Sequence, residues 1–221
     1  SGSGIGTYRA WGDPNAAQWN TIRDNWLHDM PITGIGINSS HNAIVNNRIE
    51  RVGASSLAHG IYLQGGYNTI DGNYVANASG YSFHGYKHVP NLDSSGDRYV
   101  NNTSINPGTG HIIVDGQPGA GGLPLDRYVI IANNVFRGGS AATLGLMLAA
   151  PAIVSGNVVE DVPNGQAISV NGGGDGSTIA NNMLVNSGAL ILKVPATAVG
   201  NTLRGGQGIH VTGAGARVEA N

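Results

Sequence analysis

The chain has 221 residues, 11 basic and 13 acidic side chains, a net charge of −2 and no cysteine. Its length is that of one domain, and 40% hydrophobic content argues against a disordered polymer. The near-neutral charge without a basic cluster argues against a nucleic-acid partner, the lack of any apolar run near roughly 18 residues argues against a membrane span, and the missing cysteine removes disulfide and thiolate chemistry.

Glycine occurs 36 times and asparagine 24 times, as often as all charged residues together. Helices disfavour both, whereas turns use them because they tolerate left-handed backbone angles. The composition therefore predicts a turn-rich, all-β chain. Ser1-Gly2-Ser3-Gly4 reads as a vector-derived scar ahead of a single domain over 5–221, and the chain shows no leader peptide, as expected if one has been removed.

From Ile22 onward an aliphatic or similar residue precedes an asparagine by three positions nine times: Ile22/Asn25, Ile44/Asn47, Ile70/Asn73, Tyr99/Asn102, Ile131/Asn134, Val154/Asn157, Ile179/Asn182, Ala198/Asn201 and Val218/Asn221. The intervals between the asparagines run from 19 to 32 residues, a solenoid period. The residue before the asparagine is Asn, Gly or Asp in eight of nine units, the types that accept the left-handed conformation. Each unit thus has a sharp turn at one place, and the asparagines are predicted to stack as an amide ladder. Two positions later the chain is apolar again, with Ser104 the exception.

A strand of period two follows each turn: Ile35–Ile37, Ile61–Leu63, Tyr81–Phe83, Ile112–Val114, Leu146–Leu148, Ile168–Val170, Leu190–Leu192 and Ile209–Val211. The outer pair of each triplet is expected to face inward. No unit buries its apolar face alone, so neighbouring coils must stack.

The Ile-x-x-Asn turns followed by strands such as His59-Gly60-Ile61-Tyr62-Leu63 resemble the right-handed parallel β-helix, or pectate-lyase-like, superfamily, over about residues 5 to 221. The resemblance implies an all-β solenoid of about nine coils. It also implies a partner that is an extended polysaccharide and a secreted or virion-associated location, since the superfamily includes polysaccharide lyases, hydrolases, mannuronan C5-epimerases, phage tailspikes and non-catalytic surface proteins. Fold alone does not assign the chemistry.

The outward residues point to coils two to four, counting from the first asparagine turn. The middle outward row is predicted as Gly36, Tyr62, Ser82, Ile113, Met147, Ser169, Ile191 and His210, and the row beyond it as Asn38, Gln64, His84, Asp115, Ala149, Asn171, Lys193 and Thr212. Eight of the fifteen Tyr and His residues fall between His59 and His88, and the two longest units place loops at 84–97 and 115–127. His59, Tyr62, Gln64 and Asp115 are the expected sugar-binding residues. For β-elimination, Lys87 or Arg98 would neutralise a uronate carboxylate, His84 or His88 would serve as base, and Tyr86 or Tyr62 as acid. Hydrolysis needs two opposed carboxylates, and only Asp115 lies on the strand face, with Asp93, Asp97 and Asp126 available from loops.

Other residues have quieter expected roles. Tyr81 and Phe83 read as core, Tyr74 and Tyr99 as packing beside turns, and His41, His111 and His210 as surface or turn residues. Trp11, Trp19 and Trp26 read as a cover for the first coil. Family motifs are only partly present. Tyr81-Ser82-Phe83 matches the epimerase strand without its Asp-Pro-His, and Ala58-His59-Gly60 is a partial echo of the polygalacturonase Gly-His-Gly. No cofactor is expected, with calcium at Asp93 and Asp97 left open. A non-catalytic binding or structural segment of a spike, forming a homotrimer, is the rival reading, and a hydrolase the second.

Overall fold

Each asparagine turn begins the same three-strand coil. The computed structural model describes residues 3–7, 17–86, 95–115 and 128–221, the side chain of Tyr86 excepted. Sheet 1 runs from Ser3–Thr7 through Thr33–Ile37, Ile61–Leu63, Tyr81–Tyr86 and Gly110–Asp115 to Ile209–Val211, with nine strands. Sheet 2 also has nine strands, from Thr21–Arg23 to Arg217–Glu219, and sheet 3 has eight, from Trp26–Met30 to Thr202–Arg204. Every strand pairs in parallel with its counterpart one coil away. This is the expected all-β solenoid: eight coils, each visiting sheets 2, 3 and 1, with one further strand at either end. Ser3 and Gly4 fall within the first strand.

The interior is made of columns of aliphatic side chains. Ile35, Ile61, Ile112, Ile168 and Leu190 line it from sheet 1, and Ile44, Ile70, Ile131 and Ile179 face them from sheet 2, all fully buried. Each such side chain contributes about 1.5–3 kcal/mol of burial. Among the described residues, aromatic side chains enter the interior only in coils three to five, as Phe83, Tyr99 and Phe136. Room for Tyr99 comes from Gly85, which occupies the inward position held by Leu63 and Val114 in the adjacent coils. A Cβ on Gly85 would stand 2.6 Å from the Tyr99 hydroxyl.

The asparagine ladder is present along the whole molecule. Each Oδ1 accepts from the backbone N–H and the side-chain Nδ2 of the asparagine one coil earlier, from Asn25 on Asn47 to Asn201 on Asn221, at 2.7–3.1 Å. The residue before each asparagine has positive φ, from Asp24 at 58° to Ala220 at 49°. A second ladder, not expected from the sequence, turns the corner between sheets 1 and 2: Asn20 on Asn42, Asn42 on Asn68, Asn68 on Asp97. Asp97 ends it as a fully buried acceptor. That position places it in a buried ladder and not on an open loop with the other carboxylates considered from the sequence.

Three further expectations are corrected. In register, His84 rather than Ser82 stands between Tyr62 and Ile113, and Tyr86 rather than His84 stands beside Asp115. The strand Tyr81–Tyr86 is six residues long, and a slip of two residues keeps Phe83 inward, so alternation alone could not fix it; Ser82 is nevertheless drawn inward to Ser104, and Tyr81, expected in the core, stands beside His84 on the outer face. His111 is not on the surface but fully buried. Its Nε2 lies 3.0 Å from the Gly138 carbonyl and its Nδ1 2.7 Å from Ser104 Oγ, which also lies 2.7 Å from Ser82 Oγ. This pairing explains the polar Ser104 in an otherwise apolar column. Finally, Trp19 and Trp26 do not shield the interior of the first coil: they are 75% and 64% exposed and lie against polar neighbours, Trp19 on His41 and Trp26 beside His28 and Glu50.

Candidate functional site

Four rings converge on the outer face of sheet 1 in coils two and three. His59 lies in the corner just before Ile61–Leu63, Tyr62 at the middle of that strand, and Tyr81 and His84 on the next strand. Ring centroids are 4.2 Å apart for His59 and His84, 5.0 Å for Tyr62 and His84, and 5.2 Å for Tyr81 and His84. Gly80 makes the approach possible, since a Cβ there would collide with Nδ1 of His59.

The hydrogen bonds fix where the imidazole protons sit. The backbone N–H of Tyr81 donates to Nδ1 of His59 at 3.1 Å, so neutral His59 carries its proton on Nε2. That Nε2–H faces Nδ1 of His84 at 2.8 Å, which therefore accepts and leaves the His84 proton on its own Nε2. Burial favours the neutral form of His59 and pushes its pKa down to about 4, and burial also pushes the Tyr81 hydroxyl up. In this state the one lone pair of His84 is already used. The geometry makes it a donor through Nε2 rather than the base considered from the sequence.

Beside the rings, Gln64 donates from Nε2 to the Tyr62 hydroxyl at 2.8 Å, holding the phenol oxygen in place. Gln64 Oε1 and Asn38 Nδ2, in the same outward row one coil apart, are buried without a hydrogen-bond partner among the described residues. Asp115 ends its strand half-buried, in register with Tyr86.

The structure thus brings together His59, Tyr62, Gln64 and His84, adds Tyr81, and puts Asp115 two coils from Gln64 in the same row. It does not bring Arg98 to them. Arg98 begins a strand of sheet 2, exposed and in register with Thr69 and Ile130, because the chain has turned a corner after His84. Lys87, His88, Asp93 and Asp126, with Trp11, lie outside the described residues, as does the side chain of Tyr86. Among the described residues no group of three or more His, Asp or Glu side chains is placed to hold a metal ion.

Sequence reasoning missed the direct His59–His84 bond, whose only signal was their separation of 25 residues, about one coil. It also missed a column at the corner between sheets 1 and 2. There Trp19, His41 and Tyr67 stack with centroids 4.4 and 5.1 Å apart and rings within 8° and 15° of parallel.

A solenoid of three parallel sheets with its polar and aromatic side chains gathered on a few outward rows defines a parallel β-helix protein. The chain belongs to the right-handed beta helix region family, whose profile matches residues 13–221. Comparison with curated proteins and with solved structures gives no match.

Proposed function

We propose that the protein is an extracellular, polysaccharide-active β-helix that cleaves an acidic polysaccharide by β-elimination across sheet 1 in coils two to four. The observation that carries this reading is the juxtaposition of the His59–His84 pair with the Gln64-anchored Tyr62 on one outward face. Flat phenol and imidazole rings suit the C–H faces of pyranoses, and the polar atoms of Gln64 and Asp115 suit their hydroxyls.

In the elimination a base removes the proton on the carbon bearing the uronate carboxylate. Its electron pair forms the new double bond, the bond to the glycosidic oxygen breaks, and that oxygen takes a proton. His84, holding its proton on Nε2, donates to the carboxylate together with Lys87. Tyr62 protonates the leaving oxygen, with Tyr86 the alternative donor, and His88 is the base. His59 touches no substrate in this scheme; it fixes the tautomer of His84.

A second reading is favoured by one feature. Both nitrogens of His59 and Nδ1 of His84 are engaged within the protein, an arrangement that also suits a rigid, non-catalytic sugar-binding face in a trimeric spike. Hydrolysis is less well supported, since Asp97 is held in the second ladder and Asp115 is the one described carboxylate of the candidate set on this face.

Incubation with a panel of uronate and neutral polysaccharides tests these readings, with ultraviolet absorbance of unsaturated uronate and reducing ends followed in parallel. Elimination predicts absorbing products that vanish in His84→Ala and Tyr62→Phe. Reducing ends without absorbance refute it in favour of hydrolysis, and retention on a polysaccharide gel without product leaves binding alone.

A further inference from the structure

Trp19, His41 and Tyr67 all adopt left-handed backbone angles, with φ of 62°, 62° and 59°. For Trp and Tyr that conformation is an outlier, and for His it is uncommon. The fold does not require such residues at a ladder corner. At the neighbouring corner between sheets 2 and 3, the residue before the ladder asparagine in the same coils is Asp24, Asn46 and Gly72, types that accept positive φ. Both corners have the same design, a left-handed residue followed by a stacked amide, since Asn20, Asn42 and Asn68 follow the three rings directly. Only one corner carries aromatic side chains, three coils in succession. Strain of this kind persists where the surroundings hold it and where it serves a site.

The column is closed at one end and open at the other. Gly96 continues it beyond Tyr67, and a Cβ on Gly96 would lie 2.8 Å from the Tyr67 ring, so backbone covers that face. At the other end Trp19 has one indole face on His41 and is still 75% exposed, with its opposite face uncovered among the described residues. The turn behind it is firmly held: Asn20 Nδ2 and Ser39 Oγ both donate to the Ala17 carbonyl at 2.6 Å. A flat, pre-oriented indole face at the end of a rigid stack is a receptor for another flat apolar face of similar size.

We propose that this column is a sugar-stacking platform, with the C–H face of a pyranose residue packing on Trp19. The proposal rests on the polysaccharide reading for the class of ligand, and it adds a contact surface at the corner between sheets 1 and 2, separate from the His59–His84 pair. An extended glycan engaging both would be held by residues remote from the bond that breaks.

The test uses Trp19→Asn, which places at the left-handed position a residue suited to it. Calorimetric titration with hexasaccharides of galacturonate, of mannuronate and of β-1,4-glucose is carried out in a His84→Ala background, so that turnover does not intrude, and thermal melting is measured alongside. The expected result is that at least one hexasaccharide binds, and that Trp19→Asn weakens it by about tenfold with a melting temperature unchanged or raised. Tyr67→Asn, which removes the base of the stack, is expected to weaken the same ligand. The proposal is overturned if no hexasaccharide binds, if Trp19→Asn binds as its parent does, or if lost binding comes with a lowered melting temperature, the mark of a merely structural stack. Unsaturated product from the protein with His84 intact is read separately, so elimination fails or stands independently of the Trp19 result.

Discussion

Asn102 sits in the middle of the first ladder, 1% exposed, and its replacement measures what that ladder contributes. Its Oδ1 accepts from the N–H and Nδ2 of Asn73 at 2.9 and 3.0 Å, and its Nδ2 donates to the Ile70 carbonyl at 2.9 Å and to Asn134 Oδ1 at 3.0 Å. Asn102→Ala deletes these four bonds, each with a net value of about 1 kcal/mol, and leaves the buried N–H of Asn73 stranded at a further cost of about 1–3 kcal/mol. The expected loss is therefore roughly 5 kcal/mol, comparable with the roughly 5–15 kcal/mol total stability of a native protein. In a chain of this length it lowers the melting temperature by roughly 10 °C or more. Asn102→Asp is expected to be worse, because a carboxylate would face the Ile70 carbonyl and Asn134 Oδ1, two acceptors. Asp97→Asn is the control: at the end of the second ladder Asp97 accepts from Asn68, and an amide oxygen can do the same. Urea unfolding followed by circular dichroism and by tryptophan fluorescence reads all three. A loss below about 1 kcal/mol for Asn102→Ala, or an Asp97→Asn variant as unstable as Asn102→Asp, would refute the ladder as a principal source of stability.

Acid should destabilise the fold through histidines rather than carboxylates at first. His59 and His111 are both held by burial at about 4 against 6.5 unfolded, so below 6.5 the unfolded chain binds protons that the native state refuses, and stability falls with pH until about 4. Each should cost about 2 kcal/mol by about pH 5; the lowered carboxyls of Asp29 and Glu50 withdraw their contributions only at lower pH. Chemical unfolding between pH 7 and 5 tests this, and a flat profile contradicts it. Tyr99→Phe should leave stability unchanged or raise it by about 1 kcal/mol, because the buried hydroxyl has no hydrogen-bond partner among the described residues; a clear loss by thermal melting would contradict that. Gly80→Ala should displace His59 and abolish the ordered His59–His84 bond, visible as a changed imidazole nitrogen resonance pattern; an unchanged pattern would show that the glycine is not needed for the pairing.

Much of the architecture was legible because it repeats. Ile22/Asn25 and its eight successors announced the coil, the first ladder and the inward aliphatic columns, since a left-handed turn and an alternating strand are written in neighbouring residues. The second ladder was hidden by its own chemistry: Trp19, His41 and Tyr67 occupy a position that elsewhere reads as Asn, Asp or Gly, so the turn did not look like one. The candidate site was half legible. Composition drew attention to His59, Tyr62, Gln64 and His84, yet not to their arrangement.

What the sequence determined by itself was therefore the local rule of each coil, its period and which face of each strand looks inward. What only the tertiary structure decided was how successive coils lie on one another. With intervals of 19 to 32 residues, alternation admits registers two residues apart equally well, and packing selects among them: Gly85 opposite Tyr99, Ser104 against His111. That choice moved His84 beneath Tyr62 and onto His59, carried Arg98 round a corner to another sheet, and drew His111 into the core, because stacking distances between coils are set by the buried side chains and not by spacing along the chain.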